Sequence, residues 1–582
     1  MHELEYGSDV AVELLKNLDI DYVAFNPGAT FRGLHESIVN YGENEKPEVI
    51  VCCHEEIAVS LCQGYAKAAL KPMAAAVHDI VGLLHATMAI YLDWLDQTPV
   101  LILGGTGPMA VEERRPWIDW IHTALVQGNV VRDYVKWDDQ PGSVESFSES
   151  FYRAYRAAMS EPKGPVYVCL DAGLQEQSID KDYKVPDFDR YPVSTSPQAD
   201  PAGLEEAAKA LVGAERPVVM ADYLGRNSNA VASLVELAEL LALPVIDVGS
   251  RFNFPSTHPL DISGSGEEYI DKADVVLGLD MADFYHALTV TERTSRIPLS
   301  LVPEDTRIIH IGLQELLLRG WSQNIGKLQP MNQSIMADTS LALPELVSLC
   351  RQEMVKDDRI DREKRFEMVK AKHESLRAKW WRVAVNTAED KPISFACLAA
   401  KLWEVVRCED WILVNRTLGN WTRRLWDWNF PHQWIGAHHG GAVGYGVGHS
   451  LGAALAHKGS GSLCIDIQPD GDFLYTPSAL WTAAHHEIPL LIVMFNNRSY
   501  GNSENHQRTI SEMRRRPTHT SGIGTRIENP PVDFATLARG FGIHGEGPIE
   551  EPKDIRPALE RAVGYVKEKN SCALVDVITQ PR

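Results

Sequence analysis

The fold is decided by the stretch SLCIDIQPDGDFLYTPSALWTAAHHEIPLLIVMFNNRSYG, which spans residues 462–501. Two apolar runs, one that ends at Ile467 and one at 488–495, have the length and composition of buried strands. Between them a Pro-Asp-Gly turn is followed by Thr476, which suits a helix N-cap, and by Pro477, which suits the first helical position. This order predicts a β-α-β unit, and its right-handed crossover makes the two strands parallel.

Polar side chains follow both of these strands. Asp470 comes after the first, and Asn496 and Asn497 end the second. The carboxyl ends of neighbouring parallel strands meet at one edge of a sheet, and a buried side-chain amide needs a partner. A carboxylate, an amide oxygen and a loop carbonyl near Ser499 suit Mg²⁺, which keeps further positions for water and phosphate. The Gly471–Asp472 backbone would offer amides to that phosphate. Taken alone, Asp470 could simply belong to a tight turn, and Asn496 and Asn497 could simply be a polar strand end. Their combination at this spacing favours a site for a cation and a phosphate.

The rest of the chain continues the same alternation. Short β-branched runs are separated by amphipathic stretches, which predicts an α/β fold with parallel sheets. A proline-rich segment at 181–201 predicts a linker, and the charged stretch 356–381 predicts a solvent-facing connecting helix. We therefore expect three domains, at residues 1–182, 200–350 and 385–582.

Composition excludes several classes of partner. Among 582 residues, 79 are Asp or Glu and 56 are Lys or Arg, for a formal net charge of -23. This balance argues against a nucleic-acid partner or an anionic membrane surface. The N-terminus is acidic where a signal peptide is basic, and no run approaches the ~18 apolar residues of a membrane span, so we expect a cytoplasmic protein. The nine cysteines include no CxxC pair, so we expect reduced core thiols rather than a structural zinc site.

The spacing in the opening stretch also resembles a known family motif. Asp470 in a GDG-like turn, followed 27 residues later by Asn497 at the end of an apolar strand, resembles the cofactor motif of the thiamine-diphosphate superfamily that includes pyruvate decarboxylase and acetohydroxyacid synthase. The SALWTAA segment at 478–484 is most similar to benzoylformate decarboxylase. Pro469 stands where the family has the first glycine of GDG, which alters the turn without removing a ligand. The resemblance implies three doubly wound domains, which are the pyrimidine-binding, middle and diphosphate-binding domains.

The family requires a glutamate that hydrogen-bonds N1′ of the cofactor. The stretch VIVCCHEEIAVSLCQGYAKA resembles its HE…GYA pattern, and the distance of nine residues to Gly64 selects Glu55 rather than Glu56. An acidic residue is also common in a first helical turn because of the helix dipole. His78, 23 residues after Glu55, is similar to an active-site histidine of benzoylformate decarboxylase and would relay a proton to a substrate oxygen, although a histidine at a strand end is also often structural. His286 is similar to a second such histidine, with the alignment offset by one residue.

Other segments of the resemblance give further site residues. In HHGGAVGYGVGHSLGAALA, Val443 corresponds to the apolar residue that bends the cofactor, and Gly441 lies in the glycine loop, whose spacing does not fit GxGxxG. His438 and His439 would face the reacting end. The cofactor-binding set implied by the resemblance is Glu55, Thr417, Asn420, Gly441, Val443, Asp470, Gly471, Asp472 and Asn497, with Asp470, Asn497 and Ser499 on the metal.

The resemblance implies a carbon–carbon lyase or carboligase that uses thiamine diphosphate and Mg²⁺ on a 2-oxo acid, an aldehyde or a 2-hydroxy ketone. Ala29 stands where the decarboxylase has a serine that holds the substrate carboxylate, so the 2-oxo acid is in doubt. Acetolactate-synthase-like acyl transfer is the alternative, but its glycine-proline run and glutamine are missing, which makes FAD doubtful. A non-catalytic cofactor-binding scaffold is a third possibility, against which the retained Glu55, Asp470 and Asn497 argue. Family members build each site from two subunits, so we expect a dimer or a homotetramer.

Overall fold

A computed structural model describes residues 3–292, 296–317, 327–356, 360–436 and 441–581. It contains three sheets of parallel strands, one in each third of the chain, with helices packed against them. The α/β fold with parallel sheets predicted from the sequence is confirmed. None of the described helices combines the length and the apolar character needed to cross a bilayer.

The first sheet has six strands in the order β2-β1-β3-β4-β6-β5, all parallel. Its strands are β1 Tyr22–Phe25, β2 Glu48–Val51, β3 Met73–Val77, β4 Val100–Thr106, β5 Asp138–Asp139 and β6 Val166–Asp171. Its helices are α1 Gly7–Asn17, α2 Arg32–Glu36, α3 Glu55–Ala69, α4 Asp79–Leu95, α5 Asp119–His122, α6 Phe147–Met159 and α7 Ala172–Glu176. Successive residues of β1 pack on opposite faces, because Val23 and Phe25 join the core under α1 and α6 whereas Ala24 joins the core under α3 and α4. Helices therefore cover both faces of this sheet.

The middle sheet has five parallel strands in the order β13-β12-β9-β7-β8. The strands of this region, including the antiparallel pair β10 and β11, are β7 Pro217–Ala221, β8 Val245–Asp247, β9 Val275–Leu279, β10 Thr289–Thr291, β11 Pro298–Ser300, β12 Arg307–Gly312 and β13 Gln333–Met336. Its helices are α8 Pro201–Gly213, α9 Ser228–Leu241, α10 Gly266–Ile270, α11 Phe284–Ala287 and α12 Thr339–Met354. The predicted connecting helix is present as α13 Arg362–Asn386, and few of its residues are buried.

An ion cluster lies beyond the carboxyl ends of the middle strands. The Arg226 guanidinium contacts Asp280 at 2.5 Å, Glu161 at 3.2 Å and Asp338 at 3.4 Å. Asp280 is fully buried, and burial raises its pKa although Arg226 opposes that shift. Arg226 therefore neutralises carboxylates that would otherwise be costly to bury, and it ties the middle sheet to the first sheet's region through Glu161.

The third sheet has five parallel strands in the order β14-β15-β16-β18-β17. The strands are β14 Trp411–Leu413, β15 Leu463–Pro469, β16 Leu491–Asn496, β17 His544–Ile549 and β18 Ala573–Ile578. The helices are α14 Phe395–Val406, α15 Trp421–Leu425, α16 Gly446–Ala456, α17 Asp470–Phe473, α18 Ala479–His485, α19 Gly501–Met513, α20 Phe534–Gly540 and α21 Pro552–Lys569. Strands β15 and β16 are parallel neighbours, so the β-α-β unit predicted from residues 462–501 is confirmed.

One local prediction within that unit is wrong. The helix after the turn begins at Ala479 with Ser478 at its N-cap, not at Pro477 with Thr476 at its N-cap. The Thr476 hydroxyl donates instead to the carbonyl of Gly444, in a loop 32 residues away in sequence. A tertiary hydrogen bond has therefore replaced the local cap.

The first and third sheets share one hydrophobic core. Residues of α3 and α4 and residues of α16 and α18 belong to the same buried cluster. Helices α3 and α16 cross at glycines, because a Cβ on Gly64 would lie 1.8 Å from the His449 carbonyl oxygen and a Cβ on Gly452 would lie 1.8 Å from the Leu61 carbonyl oxygen. This crossing brings the start of α3 next to the loop before α16.

Candidate active site

The predicted metal ligands Asp470 and Asn497 converge on one backbone amide. Asp470 Oδ2 and Asn497 Oδ1 both accept hydrogen bonds from the Ser499 amide, over 3.1 and 3.0 Å. The Ser499 hydroxyl donates to Glu504 over 2.8 Å, and the Ser499 carbonyl stays the predicted third ligand. Asp470 is only 1% exposed, and burial raises its pKa to about 7. A cation beside these oxygens would stabilise the charged carboxylate, so this donor set fits a hard divalent cation.

The glycine loop of residues 441–446 is tied to the turn that carries Asp470. Asp472 Oδ1 accepts a hydrogen bond from the Gly444 amide over 2.6 Å, and its Oδ2 accepts one from Gln468 over 2.8 Å. Gly441 and Gly444 have φ values of +60° and +104°, which favour glycine. Val443 lies between them and is half-buried. Both carboxylate oxygens of Asp472 are engaged, so this residue positions the loop.

Gly471 lies under an aromatic ring. A Cβ at Gly471 would be 2.6 Å from the Tyr500 ring, so a larger residue would displace that ring from the turn. The backbone at Gly471 follows directly after Asp470 at the start of α17. The turn therefore places the buried Asp470 carboxylate next to backbone amides of the kind that bind a phosphate.

Thr417 and Asn420 line a cleft of about 380 Å³ with Arg416 and Tyr445. The Thr417 hydroxyl donates to Asn420 Oδ1 over 3.1 Å and accepts from the Asn420 amide over 3.2 Å. Burial lowers the pKa of Arg416, and the nearby Tyr445, Asp472 and Asp466 raise it. Together these three groups outweigh burial, so the pKa of Arg416 is raised. Arg416 Nε is buried and has no hydrogen-bond partner among the described residues. A half-buried guanidinium whose buried Nε is an unused donor, on a cleft beside this turn, is suited to an anionic group.

Glu55 begins α3 and lies among polar groups of the first domain. Its side chain is buried, with Oε1 accepting from Asn26 over 3.3 Å and Oε2 within 3.2 Å of His85 Nδ1. His54 caps the helix through a hydrogen bond from the Glu56 amide to its ring. A Cβ on Gly82 would lie 3.0 Å from Glu55 Oε1, so glycine is needed for α4 to pass this close.

Glu56 points elsewhere than Glu55. A Cβ on Gly444, in the glycine loop of the same chain, would lie 3.2 Å from Glu56 Oε1. Burial, followed by the charge of Asp472, raises the pKa of Glu56 to about 7. The two adjacent glutamates therefore face different surroundings, with Glu56 near the chain's own loop and Glu55 near Asn26 and His85.

His78 caps the start of α4 on the same side as Glu55. Its Nδ1 shares a hydrogen bond with the Thr30 hydroxyl at 3.0 Å, and its Nε2 lies 3.1 Å from Asp79 Oδ2. A Cβ on Gly28 would lie 2.3 Å from the ring, so the loop at 26–28 must carry a glycine there. Burial lowers the pKa of His78, as does the nearby His122. A neutral imidazole is therefore favoured near neutral pH, and it is able to accept or return a proton.

Comparison with known proteins identifies the family. Residues 6–127 match the N-terminal TPP binding domain of thiamine pyrophosphate enzymes, residues 204–346 match their central domain, and residues 417–577 match their C-terminal TPP binding domain. The chain belongs to the thiamine pyrophosphate enzymes. Glu55 and His78 fall in the first matched region, and Asp470 and Asn497 fall in the third.

This thiamine pyrophosphate enzyme is similar to acetolactate synthases in sequence. It is 24% identical to a probable acetolactate synthase large subunit of Methanocaldococcus jannaschii, over 91% of this chain and 85% of that protein. It is 22% identical to the acetolactate synthase isozyme 1 large subunit of Escherichia coli, over 92% and 88%. In fold it is similar to the benzoylformate decarboxylase of Polynucleobacter necessarius, with a TM-score of 0.77, 20% identity and coverage of 100% and 99%. The 4-hydroxybenzoylformate decarboxylase of Rhodococcus jostii has a TM-score of 0.75 at 20% identity and 99% coverage of both chains.

Of the other predicted histidines of this thiamine pyrophosphate enzyme, the structure describes His286, and it does not bring it to Glu55 and His78. His286 lies in α11 of the middle region with an exposed side chain, and its amide donates to Asp283. Within the described part of the chain, no hydrogen bond, ion pair or ring contact joins it to Glu55 or His78. His438 and His439 lie outside the described residues.

Sequence reasoning missed several groups around Glu55 and His78. Asn26 lies three residues before Ala29, the one residue of this loop that the sequence analysis considered, and His85 follows the N-cap residue His78 by seven residues, on the second turn of α4. His122 reaches the site from α5, 43 residues after Asp79, and its Nδ1 lies 3.0 Å from Asp79 Oδ2. The signal available for Arg416 was its position directly after the strand β14 region, at a carboxyl edge.

Proposed function

We propose that this enzyme uses thiamine diphosphate and Mg²⁺ to break or form a carbon–carbon bond next to a carbonyl group. Its substrate would be a 2-oxo acid, an aldehyde or a 2-hydroxy ketone, and the reaction would be decarboxylation or carboligation. The observation that carries the proposal is the buried Glu55 carboxylate beside His85, on the same side of the first sheet as His78. A cofactor-binding scaffold has no need for a buried carboxylate and two histidines in one place.

Each of the predicted site residues would have a separate role in this reaction. Asp470, Asn497 and the carbonyl of Ser499 would hold Mg²⁺, and the half-buried Arg416 would balance phosphate charge. Glu55 would hold a proton at N1′ of the aminopyrimidine. When bound, thiamine diphosphate supplies a carbon nucleophile and accepts the electron pair that remains when a bond to the carbonyl carbon breaks. His78 would give a proton to the substrate oxygen and take it back as product forms.

Acyl transfer of the acetolactate-synthase kind is the second candidate. The sequence relatives named above are acetolactate synthases, and they match more than nine-tenths of this chain. Both candidates would use the same cofactor chemistry at a carbonyl carbon, and they differ in whether a proton or a second carbonyl compound ends the reaction.

A carbon balance separates these candidates. The enzyme, with thiamine diphosphate and Mg²⁺, would be offered benzoylformate, pyruvate, 2-oxobutyrate and aldehydes, with CO2 and organic products measured together. One aldehyde released for each CO2 indicates decarboxylation, whereas two 2-oxo acids consumed for each CO2 indicate acyl transfer. Glu55→Gln is the matched inactive control. The proposal fails if no compound in the panel is turned over faster by the wild-type protein than by Glu55→Gln.

We also propose that each site is completed by a second copy of the chain. In this chain Glu55 contacts Asn26 and His85, whereas it is Glu56 that lies beside the glycine loop. Glu55 would therefore meet the Asp470 loop of a partner in a dimer or tetramer. Co-expression of Glu55→Gln with Asp470→Ala chains tests this, because a mixed dimer would hold one site without either change. Random pairing would then restore about a quarter of wild-type activity. No recovery, with mixed dimers isolated by two affinity tags, would refute shared sites.

A further inference from the structure

We propose that His78, Asp79 and His122 form a second metal site, which takes a transition-metal dication such as Zn²⁺ or Co²⁺. This inference goes beyond the proposed function, whose Mg²⁺ lies at Asp470 and Asn497. One nitrogen of each imidazole and one carboxylate oxygen lie within 4.8 Å of one another. Two histidines and a carboxylate are a recurrent ligand set for such ions.

The position of Asp79 Oδ2 points to a cation between these groups. Asp79 is fully buried, and Oδ2 lies 3.1 Å from His78 Nε2 and 3.0 Å from His122 Nδ1. Despite these distances, Oδ2 has no hydrogen bond among the described residues. Tetrahedral ligands about 2.0–2.1 Å from an ion are roughly 3.3 Å apart, close to these separations. Both separations that involve Oδ2 therefore suit ligands of one ion, and these groups are not aligned as donors and acceptors.

The surroundings hold the three ligands in place. Asp79 Oδ1 accepts from the Val81 amide over 2.8 Å, which fixes the carboxylate and leaves Oδ2 turned to the histidines. Asp79 has a φ of +37°, an unfavourable value for a residue with a side chain, and such strain is concentrated at functional sites. The hydrogen bond between Thr30 and His78 Nδ1 is of the kind that orients a ligating imidazole through its other nitrogen.

The three ligands leave room for a fourth. The side chains of His78 and His122 are 18% and 20% exposed, so the cluster is reachable from one side. Sites with three protein ligands and an open position are typical of metals that bind water or a substrate oxygen. If the proposed function is correct, that oxygen would belong to the carbonyl substrate, and the metal would polarise it in place of proton transfer by His78.

The neighbouring cluster of His54, Glu55 and His85 is a weaker candidate. Its carboxylate already accepts hydrogen bonds from Asn26 and His85, and His54 Nδ1 accepts one from the Glu56 amide. The rings of His54 and His85 stack with centroids 4.9 Å apart. Both oxygens of Glu55 and the Nδ1 atoms of both histidines therefore already have hydrogen-bond partners, unlike Asp79 Oδ2 in the first cluster.

Cobalt binding to the holoenzyme tests the proposal without any assay of turnover. Protein saturated with thiamine diphosphate and excess Mg²⁺ would be titrated with Co²⁺, with the visible absorption of nitrogen-bound Co²⁺ and the metal content after dialysis as readouts. We expect one Co²⁺ per chain, displaced by Zn²⁺ and not by Mg²⁺. His122→Asn and Asp79→Asn should each lose it. Thr30→Val should weaken it about 10–100-fold, the usual effect of losing a group that orients a ligand.

Two variants serve as controls in the same titration. His544 lies 3.2 Å from Glu546 in another histidine–carboxylate pair, so His544→Asn should keep the Co²⁺. His85→Asn removes a ligand of the neighbouring cluster and should also keep it. Circular dichroism and thiamine diphosphate binding would verify that each variant is folded. The proposal is overturned if wild-type protein takes up no Co²⁺ in excess Mg²⁺, or if His85→Asn loses the ion while His122→Asn retains it.

Discussion

Replacement of Gly452 by alanine should separate the first and third sheets of the molecule. Gly452 lies where α16 crosses α3, and a Cβ there would be 1.8 Å from the Leu61 carbonyl oxygen and 2.7 Å from the Tyr65 amide nitrogen. Contacts of a Cβ under 3.0 Å are essentially never seen, so the backbones must part by about 1.2 Å, the difference between 3.0 and 1.8 Å. Both obstructing atoms belong to the backbone of a helix, which cannot rotate away as a side chain does.

The expected cost follows from the rigidity of this crossing. Overpacking of a core by one carbon group costs about 1–3 kcal/mol, and a backbone obstruction belongs at or above the upper end of that range. Alanine is more favourable than glycine in a helix by about 1 kcal/mol, and this gain does not offset the cost of the obstruction. Gly564→Ala is the matched control, because Gly564 lies inside α21 with no atom within 4 Å of its Cβ position. Gly564→Ala should raise the free energy of unfolding by about 0.5–1 kcal/mol.

Thermal and urea unfolding of the two variants beside wild type give the comparison. We expect opposite signs, with Gly452→Ala unfolding earlier and Gly564→Ala unfolding slightly later. Because the protein has several domains, the transition that includes the shared core of the first and third sheets is the one to compare. If Gly452→Ala is as stable as Gly564→Ala, the close crossing of α3 and α16 is wrong.

Three further predictions concern single side chains. Glu55→Gln should keep thiamine diphosphate but slow deuterium exchange at its C2 by about 10²–10⁴-fold, and an effect confined to Glu56→Gln would place the glutamate one residue later. Burial raises the pKa of Asp466 to about 7, so the folded protein binds this proton more tightly than the unfolded chain does, and Asp466 contributes a loss of stability as pH rises from about 4 to 7. Asp466→Asn should remove this residue's share of the loss, at most about 4 kcal/mol in the free energy of unfolding in urea. A pH dependence of stability identical to that of wild type would contradict the prediction. Arg226→Met should lower the free energy of unfolding by about 3–5 kcal/mol, because Asp280 stays buried without its partner. If the variant unfolds at the same urea concentration as wild type, the role given to the ion cluster is wrong.

The parts of the site that local geometry fixes were predictable from sequence. Asp470 and Asn497 end parallel strands of one β-α-β unit, so a short connection and its fixed handedness bring them together. Glu55 and His78 follow two strands of the first sheet in the same way, and the family resemblance supplied their register. Residues that follow neighbouring parallel strands lie close together because the short chain between the strands can connect them in only a few ways.

Groups brought together by tertiary packing were not predictable. His122 reaches Asp79 only because α5 folds back over the start of α4, and no periodicity in the sequence encodes that return. Thr476 has every local feature of an N-cap, yet its hydroxyl bonds to the distant Gly444 carbonyl. Local propensity is worth about 1 kcal/mol at a cap, so one tertiary hydrogen bond suffices to override it.

The central claim, that Asp470 and Asn497 hold the cation that binds the diphosphate, is tested most directly by equilibrium dialysis of thiamine diphosphate at fixed Mg²⁺. Asp470→Ala and Asn497→Ala should each lose cofactor and Mg²⁺ together, with affinity falling at least about 100-fold, because loss of a group behind a metal ligand already costs up to that much. Glu560→Ala, which removes an exposed carboxylate from α21 of the same domain, should bind as wild type does. Wild-type retention of thiamine diphosphate by both Asp470→Ala and Asn497→Ala would contradict the account.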